Sequence, residues 1–167
     1  ISSPNTPGLR SLQFGESLAQ LVAGVKAQQQ RLADQHKRYV PIAVKIAPDM
    51  TDDEVRSVAA TLVGQQIDAV IATNTTLSRG GVEASPHAGE AGGLSGAPVR
   101  DMSTHVISVL ADYLEERMPI IGVGGILSAN DAQAKFAAGA KLIQIYSGFI
   151  YRGPSLIHEC VEAYAPS

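Results

Sequence analysis

The sequence has no tryptophan, a single cysteine, no methionine at its first position and no lysine or arginine run of about five. It also has no uninterrupted apolar stretch near the roughly 18 residues that would read as a membrane span. Each absence removes a class of function. With Cys160 alone, an internal disulfide and a multi-cysteine metal site are excluded, and a reducing compartment fits best. A net charge of −3 without a basic cluster leaves no electrostatic footprint for nucleic acid or anionic lipid. His36, His87, His105 and His158 are widely spaced, form no H-E-x-x-H pattern and read as surface or loop residues, so no metal site is expected. There is no signal peptide, and Ile1 in place of an initiator methionine suggests a chain that starts inside a longer protein.

What is present describes one soluble globular body: 167 residues, 45% hydrophobic and 17% charged, enough apolar material for one core. A helix is expected from about Glu16 to Arg38, with Leu18, Leu21, Val22, Val25 and Leu32 mostly on one face. The period then changes. Tyr39 to Ile46 is short and β-branched, as a buried strand is. Thr51 and Glu54 make a capping-box pattern for a helix that Gly64 can end. The unit repeats, with strands at 69–72, 119–123 and 142–145, and helices from Asp101 to Arg117, from Ser128 to near Gly139, and from about Ser155 to Tyr164. Such alternation predicts an α/β fold of about four parallel βα units. Four units suggest the C-terminal half of a (β/α)8 TIM barrel, which needs roughly 250 residues in full. An open doubly wound sheet is the other architecture of this pattern. Its dinucleotide fingerprint breaks at Leu127, and the serine-hydrolase elbow breaks at Ala97.

Barrel chemistry collects at the C-terminal ends of strands. There the first strand carries Lys45 amid apolar neighbours, which favours a buried ammonium in need of an anion over a strand-edge lysine reaching solvent. The second ends in Thr73-Asn74-Thr75-Thr76, hydroxyls and an amide able to donate and accept to a small polar ring, or to make a β-turn. An aperiodic stretch from Leu77 to Arg100 follows, of a length usually reserved for loops that cover a site. The third ends in Gly122-Val123-Gly124-Gly125 and the fourth in Tyr146-Ser147-Gly148, where backbone N–H groups can approach a phosphate. Before all of these stands Ser2-Ser3-Pro4-Asn5-Thr6-Pro7-Gly8, hydroxyls and an amide between two φ-fixing prolines.

Together with Gly92-Gly93-Leu94-Ser95-Gly96, these segments resemble, in order and spacing over essentially the whole chain, the quinone-linked (class 2) dihydroorotate dehydrogenases. The resemblance implies an FMN-containing barrel enzyme of pyrimidine biosynthesis that oxidises dihydroorotate to orotate and passes electrons to a quinone. It assigns Ser3 as the base that takes the C5 proton while a hydride leaves C6, and serine there separates this class from soluble relatives with cysteine. Asn5, Asn74 and Thr75 would hold the substrate. Lys45 and Thr73 would contact the flavin, and Gly96, Gly125, Tyr146 and Ser147 would surround it and its phosphate. Thr6 is the candidate to relay the proton from Ser3, since a serine hydroxyl is a poor base alone. The family also has an asparagine just before Ile1, four further βα units and an N-terminal membrane- and quinone-facing helical element. Residues 1–167 are therefore expected to form a partial FMN-binding barrel domain. Its exposed sheet edges would be covered by the other half or by self-association. The intact enzyme would be peripheral on the cytoplasmic side of the bacterial inner membrane. The alternative expectation is an inert half-barrel retaining at most a phosphate-binding corner.

Overall fold

The computed structural model describes residues 1–164. Its elements run α1 (Gly15–His36), β1 (Ala43–Ile46), α2 (Asp52–Gly64), β2 (Ala69–Ala72), α3 (Arg100–Leu114), β3 (Ile120–Val123), α4 (Ala129–Ala137), β4 (Leu142–Gln144), α5 (Ser147–Arg152) and α6 (Ser155–Glu162). Short 3-10 turns precede α1 at Leu9–Gln13 and α3 at Ala97–Val99. The strands form one parallel sheet in the order β1-β2-β3-β4. This is the fold expected from the sequence: four βα units of a (β/α)8 architecture, half a barrel. Among the described residues no helix is long and apolar enough to cross a membrane.

Register sorts the strand residues into two faces. Val44, Val70 and Ile120 lie at one level and turn toward the helices, where Val70 and Ile120 join Val58, Leu62, Ile107 and Leu110 in the main core. Lys45, Ile71, Ile121 and Leu142 form the next level and point to the opposite face, where Leu142 is 62% exposed. A smaller cluster of Ile126, Ala132, Leu156 and Cys160 seats α6 against α4, so the cysteine thiol is inside the protein.

Several boundaries differ from the sequence reading. β1 starts at Ala43, because Pro41 has no N–H for a ladder and Tyr39 and Val40 lie exposed. α1 does not hide its whole apolar stripe. Leu18 and Val22 are buried, but Leu21, Val25 and Leu32 are each almost two-fifths exposed along a groove of about 610 Å3, since the stripe is wider than its contact with α2. Gly64 is the last residue of α2 rather than its stop, and the chain reverses instead through Gln66 at φ 56°. α3 ends at Leu114 because Glu115 and Glu116 both take positive φ. The interval before Ser155 holds the short helix α5.

Two helix starts form as their patterns dictate. Thr51 Oγ1 accepts from Glu54 N while Glu54 Oε2 accepts from Thr51 N, a complete capping box. Ser128 Oγ accepts from Asp131 N, and Asp131 also receives Arg100 Nη1 at 3.0 Å, which ties the start of α4 to the start of α3.

Candidate functional site

A cavity of about 270 Å3, near the lower end for small-molecule sites, opens at the C-terminal ends of the strands. It gathers Lys45 from β1, Thr73, Asn74 and Thr75 after β2, Ser95 and Gly96 from the long loop, Gly124 and Gly125 after β3, and Tyr146 and Ser147 after β4. Parallel strands bring these together because every strand ends on the same side. The lining mixes the polar groups with Val99, Val123, Ile126 and Ile145.

Lys45 is half-buried rather than buried, since among the described residues β1 has a neighbouring strand on one side only. Its ammonium has no hydrogen-bond or ion-pair partner among the described residues, and burial pushes its pKa below the usual lysine value. Thr73 is buried, with its hydroxyl bonded to Asn74 O. Asn74 Oδ1 accepts from Thr75 N, while its Nδ2 donates to Ser2 Oγ at 3.1 Å.

Glycines make the far wall possible. A Cβ on Gly125, at φ 72°, would run into the backbone of Arg100, and one on Gly148 would run into Ile126 O. Gly96, at φ 82°, faces Ser147, whose hydroxyl bonds Ser95 Oγ at 2.9 Å. Tyr146 lines the same wall with 80% of its surface exposed.

The Ser3, Asn5 and Thr6 side chains are not part of this cavity's lining, and their loop is tied to it through the bond from Asn74 to Ser2. Ser3 Oγ is half-buried and accepts from Asn5 N at 3.2 Å; Asn5 reaches Gly92, and Pro4 reaches Gly93. Thr6 is exposed and makes no side-chain bond to Ser3 among the described residues. Four participants had no role assigned to them from the sequence. Ser2 is buried behind Ser3 against Asn74, Arg10 and Asp49 are paired at 2.7 Å beneath the loop, and Ser95 meets Ser147. All are polar contacts between residues far apart in the chain, and only Asp49 after β1 sits where a strand-end rule could have pointed.

The profile of the dihydroorotate dehydrogenase family matches residues 1–164. Among curated relatives, "Dihydroorotate dehydrogenase (quinone)" from Saccharophagus degradans is 66% identical over 99% of this chain and 49% of its own length. The protein of the same name from Pseudomonas syringae pv. syringae is 63% identical over 99% of the chain and 48% of its own. A crystal structure of DHODH in complex with ferulenol from Eimeria tenella superposes with a TM-score of 0.90 at 33% identity, covering 98% of this chain and 47% of that one. The chain thus spans about half the length of the relatives it matches. By profile, identity and fold together, it belongs to the dihydroorotate dehydrogenase family.

Proposed function

We propose that these residues carry half of the active site of a quinone-linked dihydroorotate dehydrogenase. That enzyme oxidises dihydroorotate to orotate in pyrimidine biosynthesis, with FMN as hydride acceptor and a quinone as final electron acceptor. The single observation that carries this reading is the Lys45 ammonium, without a partner among the described residues, in a cavity that also holds Thr73, Asn74, Gly125 and Ser147. Such an ammonium needs an anion that the described residues do not supply. The pyrimidine edge of a flavin offers it, since negative charge develops there on reduction. The cavity's features fit a flavin: apolar side chains for a ring system, hydroxyls of Thr73, Thr75, Ser95 and Ser147, and a wall whose Gly125 and Gly148 pack directly on Arg100 and Ile126.

When bound, FMN supplies the acceptor for the hydride that leaves C6 of the substrate. The chain's own residues do the rest. Ser3 Oγ takes the C5 proton as Asn5, Asn74 and Thr75 hold the ring and carboxylate. Exposed Thr6 stands on the solvent side of the loop, suited to pass the proton outward. Lys45 and Thr73 would hold the flavin ring, and Gly96, Gly125, Tyr146 and Ser147 would hold its phosphate end. Residues 1–167 then act as one half of a barrel domain, closed by residues outside this sequence. Quinone access and attachment to the inner membrane belong to that other part. The free outer edges of β1 and β4, and the exposed Leu142, support such a closure.

The test uses a protein of full family length that carries these residues. Anaerobic dihydroorotate is expected to bleach its bound flavin and yield orotate, and Ser3→Ala to slow the bleaching by about 10²–10⁴-fold. A preparation that binds no flavin, or whose flavin dihydroorotate leaves unbleached, would sink the proposal. Flavin binding without bleaching would favour an inert phosphate-binding half-barrel.

A further inference from the structure

Arg10 and Asp49 lie outside the cavity lining, yet they join the two loops that must face one another across a substrate. Arg10 Nε donates to Ser2 O at 3.3 Å, Nη2 donates to Thr75 O at 2.8 Å, and Nη1 meets Asp49 Oδ2 at 2.7 Å. Asp49 carries the link onward, accepting from Thr76 Oγ1 and from Leu77 N. The two side chains are only 18% and 24% exposed.

The acceptors are the informative part. Ser2 O belongs to the peptide plane that carries the N–H of Ser3, and Thr75 O ends the Asn74-Thr75 pair. One planar guanidinium therefore fixes two peptide planes relative to each other. A guanidinium suits this task because its five donors lie in a rigid fork, whereas an ammonium is a point donor on a flexible stem. The charge itself does little for the site, since Asp49 neutralises it at contact distance. Asn74 Nδ2 on Ser2 Oγ adds a second tie between the same loops.

We infer that Arg10, braced by Asp49, is a positioning residue that sets the distance and angle between the Ser3 loop and the Asn74-Thr75 loop. This rests on the reading that those loops flank the substrate.

The experiment uses the flavin-loaded, full-length protein and four variants, Arg10→Met, Arg10→Lys, Asp49→Asn and the double variant Arg10→Met with Asp49→Asn. Amide hydrogen exchange is followed without substrate, orotate affinity from the flavin spectrum, and flavin bleaching by dihydroorotate across pH. Arg10→Met should keep its flavin and speed exchange in both 2–13 and 73–77. It should also weaken orotate about tenfold and slow bleaching about 10²-fold, the cost of misplacing reacting groups by roughly 1 Å. Arg10→Lys should stay close to Arg10→Met, because it restores charge without the fork. Adding Asp49→Asn to Arg10→Met should cost little more, as in one coupled unit. Full rescue by Arg10→Lys, or faster exchange confined to 2–13, would overturn the inference. If Arg10→Met does not fold, exchange in Arg10→Lys and Asp49→Asn decides the matter. A wild-type flavin that dihydroorotate fails to bleach defeats the functional reading, while the exchange data still judge the staple.

Discussion

The two rims of the sheet are both bordered by hydrogen-bonded polar residues, and they differ in what they leave over. At the N-terminal rim the polar groups around Asp68 are spent on one another. Asp68, just before β2, accepts Tyr39 OH at 2.5 Å, Ile42 N at 2.7 Å and Gln29 Nε2 at 3.1 Å, while Gln29 also reaches Val40 O. Burial pushes the Asp68 pKa upward, but the bonds from Tyr39, Ile42 and Gln29 and the nearby Lys26 outweigh it and hold the carboxyl below its ordinary range. At the C-terminal rim Lys45 has no such partner among the described residues. No fully buried side-chain polar atom of the described residues is left unpaired, so the spare capacity is confined to groups that border open space. A count of polar residues would not separate the rims. Unspent bonding capacity does.

The largest expected effect follows from that difference. Lys45→Met should slow flavin bleaching by about 10²-fold, the order of losing one donor aimed at developing charge. The flavin-free folded protein should be no less stable, because the ammonium has no partner among the described residues and is partly desolvated. A stability loss matching the loss in rate would mean that Lys45 is spent like Asp68, and the comparison would fail.

Lys135 is the sharper contrast, a lysine wholly buried in the helix layer and absent from the sequence reading. Its Nζ donates to Arg100 O at 2.8 Å and to Thr104 Oγ1 at 2.7 Å, so it is spent on holding α4 to α3. Burial lowers its pKa from 10.5 to about 8; Asp101 and Asp131 oppose that drop, and Arg100 adds to it. An unfolded lysine keeps its proton to about 10.5 while the native one releases it near 8, so between these values the unfolded state binds more protons. Native stability therefore rises with pH through that window. The span is worth about 3 kcal/mol at roughly 1.4 kcal/mol per pH unit. Denaturant midpoints of Lys135→Met and the parent protein should thus differ most in favour of methionine below pH 8. The difference should shift toward the parent by up to about 3 kcal/mol as pH approaches 10.5, with the bleaching rate at pH 7 unchanged. A difference independent of pH would show that Lys135 does not titrate in this window.

What could be read from the sequence follows the same division. β2 lies where its apolar run ends, the Thr51-Glu54 box caps α2, and the residues marked at strand ends from Lys45 to Ser147 converge on one cavity. These features are local, and parallel strands convert local position into a common rim. Contacts across the chain were not legible. Arg10 finds Asp49 39 residues away, Ser95 finds Ser147 52 residues away, and nothing in either neighbourhood announces the partner. Lys135 sits at a helical position that reads as an ordinary surface lysine until α3 covers it. α5 escaped because its six residues are too few to show a period.

The smallest expected effect tests whether adjacent residues divide between the two uses. Thr51 is only two residues from Asp49, but its hydroxyl and its backbone N–H are both occupied by Glu54 at the start of α2. It should therefore behave as a spent group. Thr51→Ala is expected to lower stability by about 1 kcal/mol, the ordinary cost of a lost N-cap, measured by denaturant unfolding. Orotate affinity and flavin bleaching should not move. A slower bleaching rate would mean that the cap and the Asp49 brace move together, so that the start of α2 also sets the geometry of the site. An unchanged rate with the expected loss of stability would place the boundary between framework and site within the Asp49-Met50-Thr51 turn.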